Sequence, residues 1–387
     1  MNQQLAPRYI DSDQTLQEFC VHIKDATWLT LDTEFLREKT YYPKFCLLQI
    51  ATENTAACID PITLQSLAPL IEILYDPHIT KVFHSGRQDL EIFFHLYGKL
   101  PTPIFDTQIA APLLGLAEQI SYGGLVSEIL GVTLSKAHSR TDWSRRPLSP
   151  EQLRYAADDV IYLADVYRKM LPRLEQLGRL EWLQKDFDDL TEPNLYQNPP
   201  AEAWQRLSGA FQLKNKALSV LQTLAAWREE TAKAQDIPRG WLLKDDSLFD
   251  LARQQPADLH ALQSVRGIDE RVVKRHGAQL CQLIQDALAR PPASIELKNR
   301  PPRKTAEQEA LLDLLMAVVR LRAAKNTLNP AALASRKDLE QLLDGDADAR
   351  LLKGWRKSMV GEDLAAVMRG ELSLKVIEDN LQLVAHA

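Results

Sequence analysis

The sequence predicts an α/β domain followed by two all-helical bundle modules, and three observations carry that expectation. In the first half, short runs rich in β-branched and aromatic residues, 27–32 and 80–84, alternate with helical periodicity. A long amphipathic helix starts at Ser149 and Pro150. Past residue 200 only helical periodicity remains, interrupted by the proline-rich polar stretches DDLTEPNLYQNPP (188–200) and RPPASIELKNRPPRK (290–304). Three domains are therefore expected, at 1–190, 201–292 and 303–387.

The first run, TWLTLD, reads as a strand that continues into Thr33 and Glu34. Side chains alternate along a strand, so Asp32 and Glu34 project from one face. The second run, TKVFH, reads as another buried strand. After it, Ser85 with Gln88 has the spacing of a capping box opening an amphipathic helix that Gly98 stops. Asp89 then falls in the first turn of that helix, just past a strand end, where α/β sheets gather their ligands.

The third stretch is SPEQLRYAADDVIYLADVYRKMLPRL. Apolar residues recur at Leu153, Val160, Leu163, Tyr167 and Leu171, which gives one continuous helical face. Tyr155 and Asp159 lie four apart on one side of it. Asp158 is rotated by about 100° from Asp159, so Asp159 is the expected ligand and Asp158 a neighbour of open role.

Oxygen-only donors from Asp and Glu suit hard cations such as Mg²⁺, which keep waters and leave coordination sites for phosphate oxygens. Two such ions roughly 4 Å apart can activate a water and stabilise the leaving oxygen of an in-line displacement. Tyr155, one turn from Asp159, is placed to orient that water. An ordinary tyrosine is too weak an acid to be ionised at neutral pH, so positioning is expected of it.

The order of these residues resembles the DEDDy branch of the DEDD 3′-to-5′ exonucleases: a DxE, an acid after a strand and turn, then Tyr with Asp four residues on. Residues 140–163, RTDWSRRPLSPEQLRYAADDVIYL, together with LDTEF and the two-module helical C-terminus, resemble the bacterial ribonuclease D family over essentially the whole chain. The resemblance implies a ribonuclease H-like domain with a mixed central sheet flanked by helices. It implies that Asp32, Glu34, Asp89 and Asp159 bind two Mg²⁺ or Mn²⁺ ions and that Tyr155 positions the nucleophilic water. The implied substrate is RNA with a free 3′ end, precursor tRNA and other small structured RNAs, shortened by hydrolysis to nucleoside 5′-monophosphates. Two rivals remain open at this point: a DNA exonuclease of the same chemistry, since no acidic motif reads a 2′-hydroxyl, and a non-catalytic nucleic-acid-binding protein.

The helical half follows the same family. VLQTLAAWREETAKAQ, an IP-containing break, two short helices, and a last helix after an RG-containing turn resemble the HRDC domain. EQEALLDLLMAVVRLRAAKN, ASRKDLEQLL and GWRKSMVGEDLAAVMRGE repeat that plan more loosely. Such modules imply nucleic-acid contact.

Each acid also has an ordinary reading. A lone DxE is most often a solvated pair, and Asp89 alone is most often a charge complementing a helix terminus. It is their joint occurrence in order that points to a site. Asp106 reads as a helix cap or a supporting partner, and His84 as a hydrogen-bonded structural residue. In the loop of Arg140, Asp142, Trp143, Arg145 and Arg146, an aromatic ring among cations suits stacking on bases and meeting phosphates. Arg140 and Trp143 are therefore nucleic-acid candidates, with a packed Trp143 as the alternative.

Composition narrows the class. The 387 residues are 45% hydrophobic and 25% charged, as in ordinary globular proteins. Apolar stretches such as IAAPLLGLA are short, and LLDLLMAVVRLRAA is broken by Asp313, Arg320 and Arg322, so neither a leader nor a membrane span is expected. A cytoplasmic protein is expected, and because no long heptad or apolar stripe calls for a partner subunit, a monomer is the expectation. The four cysteines show no CxxC pairing or zinc spacing, and GxxxxGK[ST] and GxGxxG are absent, so no nucleotide cofactor is expected. The net charge of −6 divides unevenly: residues 1–200 carry 18 Lys and Arg against 27 Asp and Glu, and residues 201–387 carry 28 against 25. Attraction to phosphates would thus fall to the second half, at 271–275, 298–304 and 350–357.

Overall fold

The computed structural model describes residues 5–135, 141–291 and 304–386. Its first part is a six-stranded sheet built from β1 (Arg8–Ile10), β2 (Trp28–Leu36), β3 (Lys44–Ala51), β4 (Ala56–Ile59), β5 (Thr80–Phe83) and β6 (Ile104–Asp106). The spatial order is β1-β4-β3-β2-β5-β6. β3 runs antiparallel to both its neighbours, while β1 with β4, β2 with β5, and β5 with β6 are parallel. This is the mixed sheet expected, with β2 at its centre.

Alternation along β2 sorts its two faces. Leu29 and Leu31 enter a large core with Leu48 and Ile50, under the helix Arg87–Tyr97 and its neighbours. Thr30, Asp32 and Glu34 take the opposite face. That face is covered by the helix Pro150–Gln176, whose Ala156, Ala157 and Val160 pack over Leu47, Ala51 and Cys58. Ser149 accepts from the Gln152 backbone and the Gln152 side chain returns to the Ser149 N–H, so this helix opens on a full capping box with Pro150 in the first turn.

The other expected capping box does not form. Ser85 sits at φ 60°, and the helix Arg87–Tyr97 begins at Gly86 without a side-chain cap of its own. Asp106 at the end of β6 closes the turn instead, accepting from Ser85 N at 3.0 Å and Gly86 N at 2.8 Å while also capping Gln108 N. Gly86 is required there because a β-carbon would meet that of Phe83 at 2.5 Å. Gly98 ends the helix at φ 68° as expected.

The middle module is helical: Asn215–Gln235, Arg239–Leu242, Asp245–Gln254, Leu259–Gln263 and Glu270–Ala289. It has its own core around Leu221, Leu224, Leu248 and Leu280. The loop after β2 touches it, where Tyr41 donates to Glu229 and Asp236 accepts from the Tyr41 and Tyr42 amides at 3.0 and 3.1 Å.

The last module begins with the helices Ala306–Lys325, Pro330–Leu333 and Arg336–Leu343. Unlike the middle one, it shares a continuous hydrophobic core with the sheet domain, through Leu315, Val319, Leu333 and Leu351. Trp182 and Trp355 stack at 4.4 Å, and Arg179 donates to the carbonyl of Leu113 in the sheet domain and of Asn326 in the module. One addition departs from the all-helical expectation: β7 (Leu372–Ile377) and β8 (Asn380–Ala385) form an antiparallel hairpin. Its turn places Glu378 and Asp379 at positive φ, and only alternate residues such as Leu374 and Leu383 reach the core. A period-two pattern this short is easily read as a helix end and tail.

Candidate active site

Three of the four expected acids converge. Asp32, Glu34 and Asp159 each present a carboxylate oxygen within 4.8 Å of the others, and all three are partly exposed. β2 supplies the first two at alternate positions, and the long helix crossing that face delivers Asp159. The register of β2 on β3 shifts just after Glu34, an irregularity of the kind that re-aims side chains beside sites.

Asp89 stands apart from this group. It belongs to the opposite face, buried, where the Thr33 hydroxyl donates to its Oδ1 at 2.5 Å. Its charge nevertheless acts on the cluster. The Asp32 carboxyl is pushed well above the ordinary range by burial, then by Asp89, Asp159 and Glu34. Glu34 is pushed up to about 8 by burial, then Asp159 and Asp89. Asp159 rises to about 7 through burial and the adjacent Asp158. Carboxylates that repel one another so strongly share protons unless cations neutralise them. The all-oxygen donor set, its spacing and its uncompensated charge fit divalent metal ions.

Asp32 and Asp159 open on a cleft of about 1040 Å³ that is also lined by His84, Tyr122, Arg154 and Tyr155, among others. Tyr155 has its phenol pushed up to about 12 by burial and by Asp159, Glu34 and Asp32, so it is a neutral hydroxyl at physiological pH. Asp158 is excluded from the group: it faces Arg154, 2.9 Å away on the same helix, and its carbonyl accepts from the Tyr122 hydroxyl. His84 is held at both nitrogens, by Thr107 and the Ile120 carbonyl, as a structural residue.

Trp143 is corrected from base-stacking candidate to core. Only 3% of it is exposed, and its ring lies nearly parallel to that of Tyr155 at 6.3 Å. A base has no access to its face, and the indole backs the tyrosine instead. Arg140 lies outside the described residues. Arg146 is spent internally, on the buried Asp60 and the carbonyls of Trp143 and Cys46. In the stretch 350–357, Arg350, Lys353 and Arg356 pair with Asp338, Asp348 and Asp186. A basic run in sequence is thus partly consumed by folding.

Sequence reasoning missed Thr33 and Thr30. Thr33 stands between the two acids of DxE, where alternation assigns it to the other face, and that parity was the available signal for a partner of Asp89. No helix is long and apolar enough to cross a membrane among the described residues.

The 3′-5′ exonuclease family matches residues 7–175, and the HRDC domain family matches residues 217–284. The chain is 37% identical over 383 residues to the ribonuclease D of Granulibacter bethesdensis, covering 98% of this chain and 97% of that protein. It is 39% identical over 386 residues to the ribonuclease D of Sphingobium indicum, covering 98% and 99%. The crystal structure of Escherichia coli RNase D, an exoribonuclease involved in structured RNA processing, matches with a TM-score of 0.82 at 30% identity, over 95% of this chain and 99% of that one.

Proposed function

The chain belongs to the ribonuclease D family and is a hydrolytic 3′-to-5′ exoribonuclease, and from that premise we propose that it trims structured RNAs, precursor tRNA among them, with two divalent cations, Mg²⁺ or Mn²⁺. The DNA-exonuclease and non-catalytic readings are not favoured by these relatives. RNA is the substrate class and divalent metal the cofactor class of the family. The observation that carries the finer reading is the group of Asp32, Glu34 and Asp159 oxygens within 4.8 Å of one another, two of which, Asp32 and Asp159, line a cleft that also holds Tyr155.

In this reading Asp32, Glu34 and Asp159 would hold the cations, and Asp89, whose charge acts on Asp32 and Glu34 from the other face of the strand, would add negative potential to the site. When bound, the cations supply Lewis-acid charge to the attacking water and to the departing 3′ oxygen. Tyr155 keeps its proton and orients the water by hydrogen bonding, its ring fixed from behind by Trp143. Cleavage at the last phosphodiester then leaves a nucleoside 5′-monophosphate and a new 3′-hydroxyl.

The division at 1–190, 201–292 and 303–387 is kept as the domain plan, with the two helical modules gripping the body of the RNA while the cleft takes its end. The protein is read as a cytoplasmic monomer without a nucleotide cofactor. The test is an RNA labelled at its 5′ end, carrying either a 3′-hydroxyl or a 3′-phosphate, beside a matched DNA, with and without chelator. Stepwise loss from the 3′ end of the hydroxyl-ended RNA, abolished by chelator and much slower on DNA, is expected. Full-rate hydrolysis in chelator, or loss from the 5′ end, overturns the reading.

A further inference from the structure

Gln49 is fully buried, and neither its amide nitrogen nor its amide oxygen has a hydrogen-bond partner in the protein. It lies on β3 directly across from Asp32 of β2. Residues paired across antiparallel strands share a face, with β-carbons roughly 4.5–5.5 Å apart. The Gln49 side chain therefore stands beside Asp32 in the layer under the helix Pro150–Gln176, among apolar residues that include Leu47, Ala51, Cys58, Ala156 and Ala157.

An amide placed in such a layer without a partner is destabilising, and a residue of similar shape without polar atoms would avoid that loss. The neighbours do not absorb it. Cys58, across from Gln49 on its other side, donates to the Leu153 carbonyl at 3.4 Å. Thr30 donates to the Val160 carbonyl at 2.9 Å and lies 3.2 Å from the Ala51 carbonyl. What the register sets beside it on the other strand is Asp32. Cys58 lies one strand farther from Asp32 than Gln49 does, and its thiol is held up by burial and then by the charges of Glu34, Asp158 and Asp159. Gln49 stands inside that field.

We propose that Gln49 is a positioning residue of the metal site, whose amide N–H donates through an ordered water to the carboxylates of the Asp32 group and orients them for the cations. Groups that hydrogen-bond to ligating carboxylates fix their orientation, and their loss costs about 10–100-fold in metal affinity or activity. The side chain touches neither substrate nor reacting atoms, and it acts through Asp32. The inference rests on the reading of Asp32, Glu34 and Asp159 as cation ligands.

The test is Gln49→Met, which keeps length and volume and removes both polar atoms. Three quantities are measured on the full chain: Mn²⁺ affinity by electron paramagnetic resonance titration, the melting temperature in chelator, and kcat and KM on a 3′-hydroxyl RNA. Mn²⁺ affinity about ten-fold weaker or more and a lower kcat are expected, with KM within about two-fold and the melting temperature in chelator unchanged or higher. A purely structural glutamine would lower the melting temperature and leave Mn²⁺ affinity at the wild-type value, and that result overturns the proposal. Should the methionine variant fail to fold, Gln49→Asn withdraws the amide by one methylene. Weakened Mn²⁺ binding there supports the proposal and wild-type binding overturns it. If the wild-type protein binds no Mn²⁺, the ligand reading itself falls. If wild type and Gln49→Met bind it equally, only the role of Gln49 falls.

Discussion

The hydroxyl of Thr30 donates to the carbonyl of Val160 at 2.9 Å, tying the strand of Asp32 to the helix of Asp159 within two residues of each acid. The same hydroxyl lies 3.2 Å from the Ala51 carbonyl on β3. The distance between the two halves of the acidic group is therefore set by a buried hydrogen bond as well as by apolar packing. Thr30→Val keeps the shape and removes the donor. It is expected to lower stability by about 1 kcal/mol, the scale of a single hydrogen bond, and to lower kcat, as read by urea unfolding and single-turnover hydrolysis. Wild-type kcat in a measurably destabilised variant would show that the tie does not set the geometry of the acids.

Asp159→Asn removes one charge from a group whose members raise one another's pKa. Turnover is expected to vanish while RNA binding stays within a few-fold. The chelated protein should melt at a higher temperature than wild type, because repulsion is relieved. Added Mg²⁺ should then raise the melting temperature less than in wild type, since at a given ligand concentration weaker binding stabilises less, as the logarithm of the ratio of that concentration to Kd. Calorimetry with and without metal checks both, and an unchanged Mg²⁺ response would remove Asp159 from the ligand set.

Trp143→Ala tests the corrected role of the buried indole. Loss of the ring behind Tyr155 is expected to lower kcat with little change in KM, and Trp143→Phe to restore most of it. A variant with raised KM and intact kcat would instead return Trp143 to the substrate.

Asp60 accepts from Tyr9 at 2.5 Å and from Arg146 Nη2 at 2.7 Å in a fully buried position. Burial alone pushes its carboxyl up, and the hydrogen bonds from Arg146 and Tyr9 outweigh that, leaving it below the ordinary value. The folded state then binds fewer protons here than the unfolded state, whose carboxyl titrates near pH ~4. The stabilisation is complete above that pH and is lost as pH falls through the lowered folded pKa. Asp60→Asn should therefore flatten the acid side of the stability profile measured by urea unfolding. Arg146→Ala, which strands the buried charge, should cost about 3–5 kcal/mol at neutral pH.

Trp355→Ala breaks the stack on Trp182 and the bond from its indole N–H to the Trp182 carbonyl. Because the last module shares its core with the sheet domain, one cooperative transition moving to lower denaturant is expected for both parts. A separate early transition, with the exonuclease part unmoved, would show that the two fold independently.

Local spacing in the chain was enough to assign β2, β5 and the helix Pro150–Gln176, because period-two and 3.6-residue patterns and the Ser149 cap act over a few residues. The same spacing placed Asp32 with Glu34 on one face and Tyr155 with Asp159 on another. It also offered Asp89 as a candidate acid without indicating its face. Parity within β2 carried that information, but which face met which helix depended on the sheet.

What tertiary structure alone decided were the relations between segments far apart in sequence. The strand order puts Gln49 across from Asp32, packing turns Trp143 inward behind Tyr155, and Asp106 from β6 closes the turn that launches Asp89. The last module fuses its core to the catalytic domain while the middle one keeps its own. Each of these depends on contacts between residues from about a dozen to more than a hundred positions apart. Such contacts form only where buried area and hydrogen bonding outweigh the entropy of bringing the segments together, and no local periodicity records the outcome.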